Sequence, residues 1–99
     1  MADSSCWKCA VKHVAQACVL QCEYKLGYPL HKYLAIGHLA EAEREIVDSK
    51  LGSGILTAIK IREARIAMIN DAETDLLVLL KYVVAQFENL ESDVSDKNS

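Results

Sequence analysis

Apolar residues recur along this chain at intervals of three and four, and polar or turn-forming residues punctuate the runs. Trp7, Val11, Val14, Cys18 and Cys22 are spaced 4, 3, 4, 4, which is the period of one helix face. That stripe predicts a first helix over about 5–26, with Ser5 as its N-cap, Gly27 as its C-terminal stop and Pro29 two residues beyond. A second helix is predicted over 30–48, with Ile36, Leu39, Ala40, Ile46 and Val47 inward and Glu41, Glu43, Arg44 and Glu45 outward. Three residues, Gly27, Tyr28 and Pro29, separate the two, so they form an antiparallel hairpin.

Residues 49–54 read Ser-Lys-Leu-Gly-Ser-Gly, the one Gly/Ser-rich stretch, and divide that hairpin from a second. A third helix over 55–70 carries two apolar stripes, Ile55, Ile59, Ile66 and Ile69 on one and Ile61 and Met68 on the other. Two stripes call for two neighbours. Thr74 reads as the N-cap of a fourth helix whose stripe is Leu76, Leu79, Leu80, Val83, Phe87 and Leu90, with Leu77, Val78 and Val84 on other faces. Val83-Val84 alone would allow a strand, but the length of the pattern argues for a helix. The expected fold is all-α, a small four-helix bundle of two antiparallel hairpins in one domain over 6–90. Residues 1–5 and 91–99 are polar tails expected to be disordered.

Composition sharpens this picture. A chain of 99 residues with 52 % hydrophobic positions has somewhat more apolar surface than a domain of its size hides, which points to a homodimer or a protein partner. Helix four, apolar on several faces, is the expected dimer contact, through Leu77 and Val84 or Val78 and Tyr82. Charge is uneven: residues 1–40 hold four Lys against Asp3 and Glu23, whereas 41–99 hold seven basic residues against twelve acids. A net charge of −3 without clustered Lys and Arg argues against nucleic acid as the main partner. No apolar run is long enough to span a membrane, and the N-terminus lacks the charge and apolar stretch of a signal peptide. The expected setting is cytoplasmic, where four Cys act as ligands or buried thiols rather than as two disulfides.

Cys6, Cys9 and His13 spell C-x2-C-x3-H. Thiolate and imidazole are the ligands zinc prefers, and on a helix the three fall within an arc of about 60° beside the core stripe. Cys18 and Cys22 lie about 120–180° round from that arc, and Cys18 is ~14 Å along the axis from Cys9, so all four Cys cannot share one ion. They are read as buried small hydrophobes. A structural zinc site wants a fourth ligand. Reflection of the hairpin about residue 28 puts Cys9 level with Asp48, His13 with Arg44 and His38 with Val19. Glu45 or Asp48 then completes the set, and His38 ranks behind them unless the hairpin is offset or a second subunit intervenes.

Other chemistry is sparser. His31, His38 and Glu45 repeat every seven residues, ~10.5 Å apart, too far to share an ion unaided. His38 and Glu41 make an H-x-x-E pair of the kind found in di-iron bundles, but such centres need further inward carboxylates. C-x-x-C at a helix start is also a redox pattern, here without the strand-helix alternation that accompanies it. Phosphate-loop, nucleophile-elbow and H-E-x-x-H motifs are absent from the sequence. Lys60, Arg62 and Arg65 form a small basic cluster, read as solvated and paired with Glu63 or as a dock for an acidic segment.

Four segments, Cys-Trp-Lys-Cys-Ala-Val-Lys-His at 6–13, Gly-Tyr-Pro-Leu-His at 27–31, Ile-Gly-His-Leu-Ala-Glu-Ala-Glu at 36–43 and Ile-Arg-Glu-Ala-Arg at 61–65, together resemble small helical proteins of unknown function encoded by tailed bacteriophages. The resemblance spans roughly 6–71 and implies a bacterial or phage cytosolic setting and no known activity. Members of that group tend to end soon after the third helix, so helix four departs from their pattern. The leading expectation is a non-enzymatic interaction or accessory module that binds a host protein and has a zinc-stapled N-terminal helix. A thiol-redox or di-metal bundle enzyme is the alternative.

Overall fold

The computed structural model describes the backbone of residues 5–49 and 54–98 and the side chains of 7–48 and 54–89. Among the described residues four helices follow one another: α1 (Ser5–Lys25), α2 (His31–Ser49), α3 (Gly54–Ile69) and α4 (Leu76–Asn98). No strand occurs among the described residues, and the architecture is the small all-α bundle that the periodicity predicts.

Local chemistry sets the helix ends. α1 stops in a left-handed turn at Gly27 (φ 116°), where Tyr28 N donates to Glu23 O and Gly27 N to Tyr24 O. These are the two bonds of a Schellman motif, which needs a residue at positive φ and finds it cheaply in glycine. α3 ends the same way on Asp71 (φ 58°), with Ala72 N donating to Ala67 O and Asp71 N to Met68 O. α4 is capped one residue later than the sequence suggests. Asp75 Oδ1 accepts from Leu77 N at 3.0 Å, whereas the Thr74 carbonyl accepts from Gln21 Nε2 at 2.8 Å. Asp is as good a cap as Thr, and the latter's carbonyl is taken by α1. Beyond 90, where composition suggests a tail, the backbone stays helical to Asn98. Neither Gly nor Pro interrupts the segment, and each residue added to an existing helix forms a further backbone bond.

The core sits chiefly between α1 and α2, the most extensively packed pair. Trp7, Ala10, Val14 and Ala17 of α1 meet Ala35, Leu39, Ala42 and Ile46 of α2, all buried. Four alanines in two pairs spaced by seven let the helix axes approach closely. The α1 core is therefore centred on Ala10 and Ala17, and the predicted stripe lies partly to one side of it. Val11 and Cys18 are half-buried on the flank, and Cys22 is exposed, contrary to the reading of it as a buried thiol. In α2, Ala40 and Val47 are likewise exposed. α3 packs on α2 and α4 on α1, and α3 and α4 touch each other least. Ile61 and Met68 of α3 and Leu76, Leu79 and Val83 of α4 complete the core. The molecule is 50 Å long, more than the ~35 Å of a 23-residue helix, so the helices are staggered.

Candidate metal centre

With α3 and α4 both lying against one side of the α1–α2 hairpin, the other side of that hairpin is left open. On α1 this edge carries Cys9 and His13, and on α2 it carries His38, Glu41 and Glu45. His13 Nδ1 and His38 Nδ1 stand 3.0 Å apart, their rings half-buried, 5.2 Å between centroids and tilted by 34°. One ring donates Nδ1–H to the bare Nδ1 of the other, so at least one imidazole of the pair is neutral.

His38 thus occupies a place that reflection about residue 28 assigns to Arg44. The hairpin reverses earlier than its loop suggests. His31 N, Lys32 N and Tyr33 N donate to Tyr28, Pro29 and Leu30 carbonyls, so helical winding already begins at Tyr28 and the reversal falls near Leu26 and Gly27. The same offset puts Trp7 beside Ile46: a Cβ built on Gly54 lies 3.5 Å from Ile46 Cγ2 and 3.8 Å from Trp7 Cζ2. In this register Cys9 comes level with Ala42 and Glu43, and Asp48 lies beyond the level of Trp7.

Cys9 is exposed, one helical turn N-terminal to His13 and on the same flank. The backbone of Cys6 belongs to the first turn of α1, and its side chain lies outside the described residues. Glu45 is half-buried and Asp48 exposed. Among the described residues no three of His, Cys, Asp and Glu converge as a metal site. What the structure brings together is the His13–His38 pair, with Cys9 adjacent.

The remaining candidates are dispersed. His31 stacks on Tyr28 (5.3 Å between centroids), with its Nδ1 3.7 Å from Glu23 Oε1, and shares nothing with His38. Glu41 pairs with Arg44. Glu43, expected on the outer face, is buried: Arg62 Nε donates to its Oε2 at 2.9 Å and Arg65 Nη2 to its Oε1 at 3.0 Å. The basic cluster of α3 is therefore partnered by α2 rather than by Glu63, and the carboxylate a di-metal centre would need is already held by two guanidiniums. Lys60 leaves the cluster altogether, with Nζ 5.0 Å above the Tyr82 ring. Cys18 packs at the α1–α4 junction. Burial, then the nearby Cys22 and Asp75, push its thiol above the ordinary value and keep it protonated.

Among the described residues no helix is long and apolar enough to cross a membrane. No family model, curated protein or solved structure matches the chain.

Proposed function

We propose that this chain is a non-enzymatic interaction module, an accessory protein of phage type that docks on another protein in the cytoplasm, with its N-terminal hairpin clasped by zinc through Cys6, Cys9, His13 and His38. The observation that carries the reading is the 3.0 Å separation of the His13 and His38 Nδ1 atoms, across two helices. Zinc holds imidazole nitrogens at about 2.0–2.1 Å, and two ligands of a tetrahedral ion stand about 3.3–3.4 Å apart. Opening the pair by a few tenths of an ångström and turning both Nδ1 lone pairs toward a common point admits the ion, once the donor ring carries its proton on Nε2, so that both imidazoles are neutral with a bare Nδ1. Cys9, one turn from His13, supplies a thiolate, and Cys6, seven residues or ~10.5 Å along the axis from His13, supplies a second only if the first turn of α1 unwinds toward the metal. A Cys2His2 set is of the closed, structural kind, with no open position for substrate.

Metal titration of the reduced protein tests this reading. We expect near one zinc per chain, and with cobalt as stand-in a thiolate charge-transfer band lost in Cys9→Ser. His13→Ala and His38→Ala weaken uptake, whereas Glu45→Gln and Asp48→Asn leave it unchanged. Uptake falls on acidification because the ligands must shed their protons. Binding no better than that of a Cys6/Cys9 double serine variant would remove the zinc clasp, and stoichiometric iron in the isolated protein would favour the di-metal enzyme.

A further inference from the structure

Two thiols lie apart from the site already described. Cys18 and Cys22 stand four residues apart on α1 and share a flank of the helix, opposite the one that carries Cys9 and His13. Both are free: Cys18 is half-buried against the core, and Cys22 is exposed. α4 begins against this flank. Gln21, the residue before Cys22, donates Nε2 to the Thr74 carbonyl, and Asp75 caps the helix that follows. Cys22 and Asp75 are close enough to Cys18 to act on its thiol.

Spacing decides what such a pair can do. On a helix, side chains at i and i+4 hold their Cβ atoms about 5–6 Å apart. A disulfide wants about 3.5–4.5 Å, so the two cysteines cannot join each other while the last turns of α1 stay wound. An ion between them fits. With metal–sulfur bonds of about 2.3 Å, a cation in line between two thiolates sets the sulfurs about 4.6 Å apart, and angles somewhat above 90° at each sulfur then place the two Cβ atoms, on one side of that line, about 5–6 Å apart. The number of ligands selects the ion. Zinc in a structural site wants four, and among the described residues no third His, Cys, Asp or Glu converges with the two thiols. A soft monovalent d10 ion is satisfied by two donors, and thiolate is the donor it prefers.

We propose that Cys18 and Cys22 form a two-coordinate site for copper(I) at the junction of α1 and α4. The exposed Cys22 gives the ion its way in, and Cys18 holds it at the edge of the core. On binding, each thiol gives up one proton and the pair gains one positive ion, so the occupied site carries a single negative charge where two bare thiolates would carry two. Beside the Asp75 carboxylate and in a half-buried setting, that difference favours the copper-bound form over the bare thiolates. The site shares no residue with the zinc clasp and does not depend on it.

Copper(I) titration under anaerobic, reducing conditions in competition with bicinchoninate, a chromophoric copper(I) chelator, decides the matter. The full chain carrying Cys6→Ser and Cys9→Ser serves as parent, so that the zinc clasp plays no part in the result. The parent is expected to withdraw one copper per chain, and native mass spectrometry to find that ion on a single 11.0 kDa chain. Adding Cys22→Ser or Cys18→Ala lowers the affinity at least tenfold, and excess zinc does not displace the copper. Cys22 is exposed, so its variant keeps the helical circular dichroism of the parent and reads binding rather than folding. Copper also blocks alkylation of Cys22 in the parent. No withdrawal of copper by the parent, an affinity unchanged in Cys22→Ser, or an ion found only between two chains would overturn the site.

Discussion

One proton between two imidazoles ties α1 to α2, and the consequences of such single-residue placements run through this protein. The cysteines divide by environment. Cys9 and Cys22 are exposed, whereas Cys18 is partly buried with its thiol pushed above the ordinary value, first by desolvation and then by its neighbours Cys22 and Asp75. The thiolate is the reactive form, so Cys18 reacts last. Alkylation followed by peptide mass spectrometry is expected to label Cys22 quickly and Cys18 only as pH rises beyond the usual thiol range. Zinc is expected to protect Cys9 without protecting Cys22. The sign of the linkage follows: the fold favours the protonated Cys18, so its contribution to stability is lost on alkalinisation and is untouched by acid. Labelling of Cys18 as fast as Cys22 would contradict its packing against α4. That Cys9 and His13 share one flank of α1 was legible from spacing alone. The fate of Cys22 was not, because a period of 3.6 fixes which residues share a face but not how far that face extends under its neighbour.

Helix ends and helix registers were legible to different degrees, for a physical reason that the first hairpin illustrates. Gly27 announces the end of α1 because only glycine enters its backbone conformation without penalty, and the prediction and the structure agree within a residue there. The register of α1 against α2 depends instead on where helical winding resumes after the turn. The hydrogen bonds to Tyr28, Pro29 and Leu30 begin it earlier than the apolar pattern indicates. That shift of two to three residues in the centre of reflection displaces partners by four to six positions, enough to replace Arg44 by His38 opposite His13. The turn itself invites a test. A Cβ on Gly27 would meet nothing within 4 Å, so Gly27→Ala introduces backbone strain with no steric clash. It is expected to cost about 1–2 kcal/mol, read as a lower urea midpoint at unchanged slope. An unchanged midpoint would mean that the Schellman turn is not what closes the hairpin.

At the scale of the whole molecule, the α1–α2 hairpin is a platform to which α3 and α4 are each fastened more extensively than to one another. α4 leans on α1 through Leu76, Leu79 and Val83, and the preceding turn is tied down by Gln21 to the Thr74 carbonyl and by Lys32 to Asp71. α3 is fastened to α2 by apolar contact around Ile61 and by the Arg62–Glu43–Arg65 bridge. The four-helix count and the all-α class could be read from periodicity because they depend on local pattern. The bridge could not, since Glu43 sits in a run of outward-looking acids and only the placement of α3 buries it. Glu43→Gln keeps the shape of the side chain while removing the charge that both arginines share. The exposed Arg62 can turn to water, but Arg65, 26 % exposed, has less room to do so. The expected loss is therefore about 1–2 kcal/mol, smaller than for a fully buried triad, and it falls with added salt as the remaining surface electrostatics are screened. Because the bridge joins α3 to the platform and leaves the open edge alone, hydrogen exchange in Glu43→Gln is expected to rise along α3 first, with α1 and zinc uptake unaffected. Uniform acceleration across all four helices would show instead that α3 unfolds only with the whole bundle, and that the hairpin has no separate standing as a platform.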